Sequence, residues 1–222
     1  MTDSRTVGRS DGKVMVGQSD GRTVGRIIAA LAVLLSIGPT VRQSDAQDTL
    51  PAGFGTLKRD DIVVRFATDQ LEIQVLPLAE QVIRLLAPDT YRSLAQLLKT
   101  KGHELADAAQ RAGVERPTLV MVTFFGLLPQ ARFSPEDVNI TSRGRLFRPV
   151  GIVPLSPRWS SYQLDAHEQA VAIYLFEEGI SFHEGLTVSY QGLANDAWTG
   201  VLPTLDRERA RVMARASLQP RP

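Results

Sequence analysis

No cysteine occurs in the 222 residues of this chain. That absence removes disulfide staples, thiol catalysis, thiolate zinc sites and a lipidated N-terminal cysteine. Lysine is nearly absent too, with 4 against 21 arginines. A membrane-spanning run is missing as well. The apolar stretch Ile27–Gly38 has 12 residues, whereas a helix needs about 20 to cross a hydrocarbon core.

That short run has flanks with a meaning of their own. Arg22 and Arg26 precede it, Pro39 stops it, and Ser44-Asp45-Ala46 places small residues at −3 and −1 of a cut between Ala46 and Gln47. A charged lead, a short apolar core and a small-residue site together describe a cleavable export signal, so the protein is expected beyond the inner membrane. An uncleaved anchor and a buried helix are the competing readings. Upstream, VGRSDG at 7–12 recurs as VGQSDG at 16–21, and RTVGR at 5–9 recurs at 22–26. This Gly- and Ser-rich duplication has nothing to bury, so 1–26 is expected to be a disordered extension and 27–46 the rest of the signal. Translation from Met15 would leave a charged region of ordinary size.

Cleavage after Ala46 leaves 176 residues, enough for one domain with its own core. They carry 19 basic and 20 acidic residues, a net charge of −1. Nucleic-acid binding rests on a basic surface, so that class is disfavoured. A disulfide-free exported chain fits a bacterial envelope, periplasmic or extracellular. There the sequon at Asn139-Ile140-Thr141 carries no glycan.

Residues 47–61 read as a flexible lead-in and 62–203 as the folded body. Strands are expected at 62–66 and 71–76; in the latter, Leu71, Ile73 and Val75 alternate with Glu72 and Gln74. From 77 to 113 the apolar spacing turns helical, with a break at Pro88, a cap at Asp89, a division at Gly102 and a stop at Gly113. Residues 118–125 are apolar on both faces, as in a covered central strand. A hairpin over 137–141 and 145–150, turning at Ser142-Arg143-Gly144, follows. Further strands are expected at 170–176 and 186–190; paired as a hairpin, they would set His183 near the turn and His167 at the far end. About seven short strands with a helical insertion suggest an α+β, mostly β fold, an immunoglobulin-like β-sandwich in general architecture. A C-terminal helix and tail, capped by Thr204, are expected over 204–222.

No motif names a chemistry. Each histidine precedes a glutamate (His103, His167, His183), but none has a second histidine four residues on, where Asp107, Val171 and Thr187 stand, so no metal or cofactor is expected. No serine lies in a nucleophile elbow and no Gly-rich loop matches a phosphate cradle. Glu177, Glu178, His183 and Glu184 crowd one loop, the basis for the alternative of an envelope hydrolase. Segment 142–162 interleaves Arg143, Arg145, Arg148 and Arg158 with Phe147, Trp159 and Tyr162, the residue types of contact hot spots. The bland reading makes Phe147 and Trp159 core plugs. Arg207, Arg211 and Arg215 form one stripe on the last helix, which would suit an anionic surface only as a minor alternative. The expected function is a non-catalytic binding or structural module acting on an unknown protein or envelope component.

Overall fold

The computed structural model describes residues 50–218. The repeats, the export segment and the Ala46/Gln47 cut lie outside the described residues. The body is α+β, with every strand pair antiparallel. Eleven strands occur among the described residues rather than about seven. The additional ones are short or arise by division of a longer run.

The central sheet has the order β1 (Val64–Ala67), β2 (Leu71–Pro77), β3 (Thr118–Gly126), β9 (Gln169–Phe176), β7 (Pro149–Pro154). In β2 the alternating residues Leu71, Ile73 and Val75 are buried, as the period of two requires. Strand β3 is apolar on both sides because both faces are covered. On one face of the sheet, α3 (Gly102–Ala112) packs over β7, where a Cβ on Gly151 would sit 3.6 Å from that of Ala108. On the other face, Phe124 meets Tyr190 of β10 (Leu186–Tyr190), ring centroids 5.6 Å apart. That strand belongs to a second sheet ordered β11 (Leu193–Asn195), β10, β5 (Val138–Ser142), β6 (Arg145–Phe147). A small pair, β4 (Ala131–Arg132) and β8 (Gln163–Leu164), stands apart.

The topology differs from the local pattern in several places. Strands 170–176 and 186–190 are both present but form no hairpin; β9 and β10 lie in different sheets, and β10 pairs with β5 and β11. The run 145–150 is likewise two strands. Phe147 pairs with Ile140 in one sheet, Pro149 with Phe176 in the other, and the chain changes sheets at Arg148. The turn before it is as expected: Arg143 (φ +53°) and Gly144 (φ +74°) form a two-residue connection of the kind whose twist suits a hairpin.

The helical insertion is α1 (Glu80–Ile83), α2 (Pro88–Thr100) and α3. Pro88 opens α2 rather than only ending its predecessor, since a first-turn proline forfeits no internal hydrogen bond. Asp89 is therefore not the cap; it sits in the first turn and pairs with Arg92 at 2.5 Å. Gly113 ends α3 in the left-handed region at φ +69°. The last helix, α4 (Trp198–Ser217), starts before Thr204 and contains Pro203 in its second turn. The fully buried Trp198 and the Asn195 side chain, accepting from the Ala197 N–H at 2.7 Å, fix the earlier start.

The lead-in is docked where it is described. Leu50 and Leu57 are buried, the Leu57 N–H donates to the Leu85 carbonyl, and a Cβ on Gly55 would lie 2.2 Å from the Leu85 backbone. Its apolar residues find a groove that composition does not reveal.

Candidate functional site

The segment 142–162 divides into two places. Arg143 and Arg145 stand at the β5–β6 turn beside the loop that follows β9. Arg143 makes a two-pronged pair with Glu184, at 2.8 and 2.5 Å. Arg145 pairs with Glu177 and lies over the Phe147 ring, 4.7 Å from its centroid. Arg148 is exposed at the sheet crossing. Phe147 itself is buried, with its ring under Gly179.

The second group sits on the turn Pro157–Ser161 and its end. Arg158 pairs with Glu168 at 2.5 Å. Trp159 is 5% exposed, its ring 5.4 Å from Phe133, 5.9 Å from Phe124 and 5.9 Å from Tyr174. Tyr162 is 51% exposed and holds a left-handed φ of +51°, unusual for a bulky residue. Phe147 and Trp159 thus belong to the core, and the exposed members are Arg143, Arg145, Arg148, Arg158 and Tyr162.

One further exposed residue lies within the segment. Leu146 is 51% exposed on β6, an end strand of its sheet, between Arg145 and Arg148. Once β6 is known as a strand, alternation against buried Phe147 points Leu146 outward. Without knowledge of the sheet it reads as another core leucine.

The acidic and histidine groups of 177–184 do not converge. Glu177 goes to Arg145 and Glu184 to Arg143, and the second contact, by hydrogen bond and charge, lowers the Glu184 carboxyl below its usual range. His183 Nδ1 lies 3.1 Å from an Arg209 guanidinium nitrogen on α4. Glu178 alone lines a cleft of about 340 Å³, shared with Leu78, Arg116, Leu119, Ile180 and Phe182. An acid–base pair needs Glu178 or Glu177 facing His183; Glu177 is turned to Arg145, and the cleft that Glu178 lines does not include His183.

The other histidines are dispersed. His103 sits 3.1 Å from Asp107, one turn along α3, and His167 lies at φ +67° beside the Phe125 ring. Among the described residues no three His, Asp or Glu side chains are grouped to hold a metal. The hydroxyls of Ser160 and Ser161 face backbone carbonyls of Pro157, Arg158 and Gln163 rather than a base.

The arginine stripe of α4 is partly spent inward. Arg215 donates to Glu208 at 2.9 Å and to the Phe54 carbonyl at 2.5 Å, while Arg211 lies 3.8 Å from Glu208. Glu208 is 1% exposed and also accepts from the Thr56 N–H at 2.9 Å and hydroxyl at 2.8 Å. Burial pushes this carboxyl up, but Arg215 and Thr56 outweigh it and hold the group below its usual range. No local pattern marks this buried charge; only the distance-spanning pairing of residues 56 and 208 creates it. No helix among the described residues is long and apolar enough to cross a membrane. Neither a protein-family model nor a curated protein nor a solved structure matches the chain.

Proposed function

We propose that this chain is an exported envelope protein that works, after removal of the segment ending at Ala46, as a non-catalytic binding or structural module. The export reading is supported by the charged lead at Arg22 and Arg26, the 12-residue apolar run and the small-residue site. The body is read as a sandwich of the two larger sheets, immunoglobulin-like in general architecture, a reading favoured by the Phe124–Tyr190 contact between them.

The observation that carries the binding assignment is the exposed Leu146 on end strand β6, on the face away from Phe147, with the exposed Arg148 two residues on. An end strand presents backbone donors and acceptors on its open side, and an apolar side chain near an exposed arginine offers contact area and charge together. The expected partner is a protein or other envelope component with acidic groups bordering an apolar spot.

Two experiments test this. Mass determination of the mature N-terminus with cell fractionation is expected to find Gln47 first, outside the cytoplasm; full-length cytosolic protein would refute export. A photo-crosslinking side chain at position 146 is expected to capture one envelope component, with capture lost in Arg148→Glu. Capture unchanged by that reversal, or no capture from envelope fractions, would refute the β6 surface.

A further inference from the structure

We propose that the C-terminal part of α4 is an acid-released helix, held against the body by two contacts that each require a deprotonated side chain. The first is His183 Nδ1 against the Arg209 guanidinium at 3.1 Å. A guanidinium has only donors, so Nδ1 must offer a lone pair and the imidazole must be neutral. Protonation removes the lone pair and sets two cations face to face. The second contact is Glu208, buried in α4 and joined to Thr56, Arg215 and, more loosely, Arg211. Its Oε2 has no hydrogen-bond partner, so a proton there is not opposed by a donor.

The surroundings of both groups push in the same direction. Burial and the Arg209 charge lower His183 from its ordinary value near 6.5, with Asp206 on α4 and Glu184 on its own loop acting the other way. Glu184 is itself engaged by Arg143. A base with a depressed folded value takes up more protons when the contact is lost than when it is made. Docking therefore weakens as the pH falls below the ordinary histidine value, and the loss is complete below the folded value. Glu208, lowered from its ordinary value of 4.5, adds a second stage: its contribution is present above that value and is lost as the pH falls through the folded one.

What release exposes is specific. At the start of α4, Trp198 stays pinned by the Phe182 ring, 5.8 Å away, and Thr199 by Gly185. From Leu205 onward the buried side chains are Leu205, Glu208 and Val212, so loss of the His183 contact loosens that apolar face and loss of the Glu208 contact at lower pH adds the 54–56 strap.

Hydrogen exchange of the full chain at pH 7.5 and 5.0, corrected for intrinsic rates, tests the idea. Peptides covering 205–217 are expected to exchange several-fold faster at pH 5.0, with β3 unchanged. His183→Asn, whose carbonyl oxygen accepts from Arg209 without titrating, is expected to keep 205–217 protected at both pH values. Glu208→Gln is expected to raise exchange in 205–217 and 54–57 already at pH 7.5. Equal protection of wild-type 205–217 at the two pH values overturns the proposal. So does a loss shared equally by β3, or the same acid response in His183→Asn.

Discussion

Replacing Trp159 by alanine separates a core role from a contact role. The ring is 5% exposed and touches Phe124, Phe133 and Tyr174, all below 5% exposed. Truncating a buried tryptophan costs about 3–5 kcal/mol, the lost transfer energy plus the cavity left behind. Three aromatic neighbours at 5.4–5.9 Å place the expected loss in the upper part of that range. With a urea slope of about 2 kcal/mol per molar, a loss of about 4 kcal/mol moves the midpoint down by about 2 M. Far-UV circular dichroism reads the transition, and Trp198, the one remaining tryptophan, provides an independent fluorescence probe. Tyr162→Ala, three residues on but half exposed, is expected to shift stability by no more than about 0.5 kcal/mol. A Trp159→Ala loss below about 1 kcal/mol, or a Tyr162→Ala loss equal to it, would refute the assignment of Trp159 to the core.

Further outcomes follow from single positions. Gly55→Ala is expected to undock the lead-in, because the added Cβ meets rigid backbone at 2.2 Å; trypsin cleavage after Lys58 or Arg59 should then accelerate. By contrast, Gly102→Ala opens α3 with free space around the new methyl and is expected to raise stability by about 0.4–1 kcal/mol, measured by urea unfolding. Glu208→Gln is expected to cost about 2 kcal/mol at pH 7, the worth of hydrogen bonds to a charged group. Because the native carboxyl lies below its usual range, this gap from wild type should close as the pH falls through the folded value; a gap constant down to pH 2 would refute it.

Local rules reached some elements well. The period-two residues of β2, the doubly apolar β3, the division at Gly102 and the left-handed stop at Gly113 follow from side-chain spacing and backbone sterics within a few residues. The Arg143-Gly144 turn is of the same kind. The candidate site was legible only as a composition. Segment 142–162 shows its arginines and aromatics openly, yet Phe147 and Trp159 are interior while Leu146 is outside, because inside and outside are assigned by the sheet each strand joins.

The sequence by itself determined the type and approximate place of the longer strands and helices, since alternation, helical spacing, proline and glycine act on neighbours in the chain. Only the tertiary structure decided that 145–154 changes sheets at Arg148, that β9 and β10 part company, and that Thr56 meets Glu208. The reason is physical: a strand's hydrophobic pattern specifies which side is buried but not which partner edge it meets. A buried carboxylate is made tolerable by donors from 152 residues away.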